Sequence, residues 1–175
     1  MPKLIALTVS VGVLAVIATW LFGLSPLVAL KLQVWQAFIA WGCHFHSGGR
    51  YIGSRSTVAC MSFGAIVGMV AALAAARMGV LGAFAAPVAV GVGAAVIVLA
   101  STLPPLAAIP ASVYGFAAIF GLILLSPGMT PLGAIVPTIV SVLIGAAFGI
   151  VSELLADALT KKGAASDTAA DARAA

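Results

Sequence analysis

The chain has 175 residues, of which 63% are hydrophobic and only 7% are charged. Soluble domains carry about a quarter charged residues, so this chain has too little polar surface to cover a water-soluble globule. A net charge of +4 could indicate nucleic acid binding in a soluble protein, but here the basic residues lie between apolar runs and are explained by orientation in a bilayer. The composition therefore predicts an all-α integral membrane protein without a nucleic acid partner.

Six apolar segments follow one another along the chain. The first is preceded by Lys3 and is too long for the core of a signal peptide, so we expect a retained first helix. The second is the weakest because it contains Lys31, Gln33 and Gln36, and an amide in mid-membrane should face other helices or a wet cavity. The predicted transmembrane helices are residues 4–24, 27–45, 57–76, 78–100, 106–125 and 132–155.

Two polar stretches interrupt or end this pattern. A polar loop is expected over residues 46–56, after the second apolar segment. Residues 158–175 are small and polar, and are expected to form a disordered cytoplasmic tail after a transmembrane domain of residues 1–157.

The basic residues indicate an orientation. With the amino terminus in the cytoplasm, only Lys31 and Arg77 lie outside, in agreement with the positive-inside rule. Without the second span, Arg50 and Arg55 would lie on the opposite face from Lys3. The charges thus favour six spans with both termini in the cytoplasm.

An internal similarity relates the two halves of the chain. Residues 37–45 can be aligned with residues 112–120, so that Phe45 falls on Phe120, and a helix with a G-x-x-x-G pair follows each segment. Removal of side chains at i and i+4 lets two helices approach closely, within one chain or between subunits. The candidate packing residues are Gly64, Gly68, Gly145 and Gly149.

This similarity has two interpretations, and both stay open. Two halves of three spans each would be inverted relative to one another, a plan found in transporters with the solute path at the repeat interface. Glycine and aromatic matches between apolar segments also arise by chance.

Four residues are candidates for lining a solute path: Gln36, Phe45, Tyr114 and Phe120. In the predicted topology Phe45 lies near the inner face and Phe120 near the outer face, and two aromatic constrictions would exclude hydrated ions while passing small neutral molecules. The alternative is an aromatic belt at the two membrane surfaces, a role that three further residues also fit: Trp20, Trp41 and Tyr51.

His44 and His46 are candidates for a pH-sensitive site because imidazole titrates near neutrality, and polar residues at a helix end are the simpler interpretation. Cys43 and Cys60 have the chemistry of soft-metal ligands, but their spacing from the histidines matches no standard zinc motif. The sequence therefore predicts reduced thiols, no metal and no cofactor. It contains no serine-histidine-acid set and no HExxH helix, so no enzyme is predicted.

The run W-x-A-F-x-x-W-G-C-x-F-x-x-G-G-x-x-x-G, from Trp35 to Gly53, occurs together with P-x-x-x-x-G-x-A-x-x-F, from Pro110 to Phe120. These motifs resemble the YcdZ-like bacterial inner-membrane proteins, a family catalogued as a domain of unknown function. The resemblance covers the chain to about Leu155. It implies a small polytopic protein of the bacterial inner membrane and brings no known substrate or catalytic residue.

Three hypotheses for function follow. The repeat, Gln36 in mid-membrane and the lack of buried charge favour a passive channel or facilitator for a small neutral solute, embedded in the lipid bilayer as a homo-oligomer. A non-transporting membrane interaction or assembly protein is the second hypothesis. The third is an enzyme or a metal-dependent redox protein that uses Cys43 and His46.

Overall fold

A computed structural model of the chain describes residues 1–160 with their side chains, and residues 161–175, which make up most of the predicted disordered tail, lie outside the described residues. The described part is helical and contains no strand. Its helices are α1 (Lys3–Phe22), α2 (Ser25–Ala29), α3 (Val34–His46), α4 (Arg50–Arg77), α5 (Ala85–Ala100), α6 (Ile109–Leu125) and α7, described over Pro131–Thr160.

The all-α fold class is confirmed, and four helical segments are long and apolar enough to cross a membrane. A fifth, α6, is apolar but shorter. A 3-10 turn, Gly79–Phe84, extends α5 at its start, and a second short turn, Pro104–Leu106, precedes α6. The long segments are Lys3–Phe22, Arg50–Arg77, Gly79–Ala100 and Pro131–Thr160.

The second predicted span, residues 27–45, for which the sequence leaves open whether the helix is continuous, is broken into two helices. Helix α2 ends at Ala29, and Lys31 adopts a left-handed backbone conformation with φ of 59°. Helix α3 then begins at Val34 with 13 residues, about 20 Å at 1.5 Å per residue and too short for a hydrocarbon core of about 30 Å. The break is tolerated because its polar groups find partners inside the protein: the Gln33 N–H donates to the Ser141 hydroxyl, and the Gln33 amide donates to the Lys31 carbonyl.

The prediction of a polar loop over residues 46–56 is wrong. Helix α4 begins at Arg50 and leaves only residues 47–49 between the helices. Gly48 and Gly49 have φ of 101° and 67°, a region open to glycine at little cost, and they make the turn this tight. The Arg50 N–H donates to the carboxylate of Glu153 on α7, which satisfies one of the free donors at a helix start.

Two long helices, α4 and α7, contact each other and organise the bundle. Helix α7 packs against α1 and the short α3, while α4 packs against α5 and α6. The start of α1 and the end of α7 lie at the same end of the molecule, where Ser10 donates to the Ser152 carbonyl. Helix α4 starts there as well, since Arg50 contacts Glu153.

Backbones touch at two of these crossings. A methyl group on Gly145 of α7 would overlap the carbonyl oxygen of Ala37 on α3, and one on Gly64 of α4 would overlap the carbonyl oxygen of Ser112 on α6. Gly68 similarly faces α6, and Gly149 faces the ring of His44. All four glycines singled out in the sequence therefore lie at helix contacts within the chain.

We expect Gly145→Ala and Gly64→Ala to destabilise the protein by about 1–3 kcal/mol each, the usual effect of overpacking a close contact. The measurement is the unfolding midpoint of the detergent-purified protein. Gly42→Ala on α3 and Gly91→Ala on α5 are matched controls, because neither glycine has an atom within 4 Å of the added methyl group. Equal midpoints for all four variants would contradict this account of the contacts.

Candidate functional site

Two clefts of about 580 Å³ each open at opposite ends of the bundle. The first, the Lys31 cleft, lies between the end of α1, the break before α3 and the turn before α7. The second, the Arg55 cleft, lies between the first turns of α4 and the turn before α6. The end of α1 lies at the opposite end of the bundle from the start of α4. The two clefts therefore approach the core from opposite sides.

Each cleft reaches the start of a short helix. Gln33 and Val34 line the Lys31 cleft where α3 begins, and Ala107 and Ala108 line the Arg55 cleft where α6 begins. Neither helix start has a side-chain cap. Each cleft therefore ends close to backbone N–H groups that have no partner in their own helix.

Between the clefts, helices α3, α4, α6 and α7 enclose an apolar core. Leu106 and Ala108 pack against this core from the side of the Arg55 cleft. Leu32, which lines the Lys31 cleft, packs with Ala37, one turn before Ala40 of the core. We call this core the central cluster, and its buried members are Ala40, Cys43, Cys60, Met61, Ala111 and Val142.

Polar atoms without partners flank the central cluster. The amide nitrogen of the fully buried Gln36 donates to the Ala118 carbonyl at 2.9 Å and to the Thr138 hydroxyl at 3.0 Å. Its carbonyl oxygen has no partner among the described residues, and neither do the hydroxyls of Thr57 and Ser112. A buried polar atom left unpaired costs about 1–3 kcal/mol, so these three atoms keep unused hydrogen-bonding capacity inside the core.

The four predicted path residues are not gathered at one place. Gln36 lies in the core, and Tyr114 is half-buried, packs against the central cluster and meets the ring of His46 at 6.1 Å between centroids. Phe45 packs instead against Trp41 near α1. The ring centroid of Phe120 lies 5.1 Å from that of Phe116. Neither phenylalanine lines a cleft.

Trp41 does not fit the belt interpretation. Its side chain is buried, and its indole N–H donates to the Ser152 hydroxyl at 3.1 Å. Trp20 and Tyr51, by contrast, are exposed, as expected of aromatic residues at a membrane surface.

Sequence reasoning missed a hydrogen-bonded group around a buried histidine that joins three helices. The ring of His44 on α3 is fully buried, with Nδ1 2.8 Å from the Ser54 hydroxyl on α4 and Nε2 3.0 Å from the Glu153 carboxylate on α7. The ring fits against α7 only because Gly149 has no side chain. We call His44, Ser54 and Glu153 the His44 clamp.

The second candidate histidine, His46, is exposed and lies outside the clamp. Asp157 extends the polar group at the surface by pairing with Arg50 at 3.3 Å. The signal for the clamp in the sequence was Gly149, which marks a close approach but does not name the side chain that approaches. Glu153 itself gives no such signal, because an acid near the end of an apolar helix is typical of a solvated helix end and its partner lies 109 positions away in the chain.

Loss of Glu153 should destabilise the protein more than loss of Asp157. Glu153→Ala removes a hydrogen bond to buried His44 and another to the start of α4, so we expect a loss of about 1–3 kcal/mol. Asp157→Ala breaks a solvent-exposed pair and should cost less than about 1 kcal/mol. Thermal unfolding of the two variants side by side measures the difference, and a larger loss for Asp157→Ala would be inconsistent with the clamp.

The cysteines do not meet the histidines. Cys43 and Cys60 are both free and buried in the central cluster, and the Cys60 thiol lies 3.5 Å from the Pro105 carbonyl. Within residues 1–160, no group of three or more His, Cys, Asp or Glu side chains is placed to hold a metal ion.

The clefts, the central cluster and the clamp all fall inside one family domain. The family described as "Protein of unknown function (DUF1097)" matches residues 8–157. The chain belongs to this family. DUF1097 membership is consistent with the YcdZ-like resemblance, and no curated protein and no solved structure matches the chain. The helices of this DUF1097 protein are those of a membrane protein.

Proposed function

We propose that this DUF1097 protein is a passive channel or facilitator for a small solute that is neutral while it crosses the membrane. The observation that carries the proposal is the set of partnerless polar atoms of Gln36, Thr57 and Ser112, which lie next to an apolar core between two opposed clefts. A solute could exchange hydrogen bonds with these atoms on its way through. The central cluster would then be the closed neck of the path.

The neck lacks charge, which supports a neutral permeant. Its members are alanine, cysteine, methionine and valine. Removal of an ion from water costs several kcal/mol even after the protein relaxes, whereas a small neutral molecule loses far less. Apolar constrictions in channels also gate by excluding water.

Several contacts support the proposed inverted repeat. Under the alignment of residues 37–45 with 112–120, the start of α3 at Val34 corresponds to the start of α6 at Ile109. Ala37 corresponds to Ser112, and the carbonyl oxygens of these two residues are the ones that face Gly145 and Gly64.

The remaining elements follow the same correspondence. Gly149 faces His44 and Gly68 faces Ile119, which again are aligned residues. Helix α1 packs on α7 as α5 packs on α4, so each half places its first two helices against the third helix of the other half. The two clefts, equal in volume, would be the two mouths of a path related by the repeat.

Two residues of the neck should control flux. Met61 and Val142 occupy corresponding positions, since each precedes the first glycine of its G-x-x-x-G pair by three residues. In proteoliposomes, Val142→Phe should reduce solute flux severalfold and Met61→Ala should raise it, because a larger side chain narrows the neck and a smaller one widens it. Stopped-flow light scattering with urea and glycerol measures both changes.

The matched control is Val92→Ala on α5, a side chain that is 58% exposed on the bundle surface. Its flux should equal that of the unchanged protein. If the unchanged protein passes neither water, urea, glycerol and small amides nor small weak acids faster than empty vesicles do, the proposed function is wrong.

We also propose that the protein lies in the bacterial inner membrane with both termini in the cytoplasm. Lys3, Arg50 and Arg55 lie at the same end of the bundle, and Lys31 and Arg77 lie at the other, which supports this orientation. Reporter fusions at both termini should therefore report a cytoplasmic location. A periplasmic signal from either terminus would contradict the assignment.

A further inference from the structure

Both clefts carry positive charge. Lys31 lines one and Arg55 lines the other, and no acidic residue lines either. Within residues 1–160 the acids are Glu153 and Asp157, and both are engaged elsewhere, with His44 and Arg50. Neither Lys31 nor Arg55 forms an ion pair with a described residue.

The backbone adds to this charge. The uncapped starts of α3 and α6 lie beside the two clefts, and a helix start carries a partial positive charge. The cationic side chains and the helix starts therefore attract the same class of solute at both mouths: an anion that can accept hydrogen bonds.

The neck favours the opposite kind of solute, one that carries no charge. The central cluster is apolar and excludes an ion. The Gln36 carbonyl oxygen beside it has no partner and, as an acceptor, needs a solute that donates a hydrogen bond. A carboxylate has no donor, whereas a protonated carboxylic acid has one O–H.

From these two demands we infer that the solute class is the small monocarboxylic acids, collected at the mouths as anions and passed through the neck as neutral acids. This inference rests on the proposed function. Desolvation at the apolar neck favours the uncharged form of a carboxyl group. The carboxylate takes one proton from water on the entry side and releases it on the exit side, so one neutral acid is transferred in each event and no net charge moves.

The test uses proteoliposomes of the full chain with a pH dye in the lumen and lactate or formate as the probe. A gradient of either acid should acidify the lumen several times faster than in empty vesicles, and more so at lower pH, where more neutral acid is present. Methylammonium, a cation of similar size, should cross no faster than in empty vesicles.

Charge-removing variants test the mouths. Lys31→Gln and Arg55→Gln should each lower the rate severalfold at low salt, since local attraction of an anion raises its concentration at the mouth. Lys3→Gln and Arg77→Gln are matched controls, because these cations line neither cleft, and both should keep the unchanged rate.

A measurement on the unchanged protein removes any dependence on the folding of variants. An increase in ionic strength from 10 to 300 mM shortens the Debye length from about 30 Å to less than 8 Å, and it should lower the rate with lactate but not with urea. If urea and glycerol pass and lactate and formate do not, or if the lactate rate is insensitive both to salt and to the Lys31 and Arg55 variants, the inference is overturned and the channel stands. If no probe passes, the channel itself is refuted.

Discussion

The fold depends on two helix crossings that are close enough to require glycine. Gly145 lets α7 lie against the Ala37 carbonyl of α3, and Gly64 lets α4 lie against the Ser112 carbonyl of α6. In lipid there is little hydrophobic drive between helices, so close van der Waals packing must hold them together. These contacts fix two short helices, α3 and α6, inside a frame of longer ones.

A short helix inside a membrane protein exposes polar backbone groups, and the surroundings must satisfy them. Ser141 accepts from the Gln33 N–H at the break before α3. At the other end of α3, the His44 clamp and the tight glycine turn tie the helix to α4 and α7. Helix α3 is therefore held at both ends, while its start lies close to a cleft that opens outward.

This arrangement separates the polar groups into two kinds. The histidine, serine and glutamate of the clamp satisfy one another and stabilise the bundle. Gln36, Thr57 and Ser112 keep one unsatisfied atom each, beside an apolar core and between two positively charged clefts. Unsatisfied polar atoms are costly in a stable core, and these three are the observation that supports the proposed passage of a solute.

Properties that depend on composition and local pattern could be read from the sequence. The shortage of polar residues determined a membrane protein, the length of the apolar runs determined helices, and the G-x-x-x-G pairs marked positions where helices meet. Gln36 was recognised as a buried amide because a polar residue in an apolar segment must find partners.

Only the tertiary structure decided which residues meet. Residues 27–45 form two helices, α2 and α3, and Ser141 accepts a hydrogen bond at the break between them. His44 contacts Glu153, which lies 109 positions away in the chain. The tertiary structure also places Trp41 in the core, where the sequence was compatible with the membrane surface, and it places Phe45 outside both clefts. The physical reason is that side-chain partners depend on the rotation and depth of each helix against its neighbours, and apolar segments of similar composition do not encode these locally.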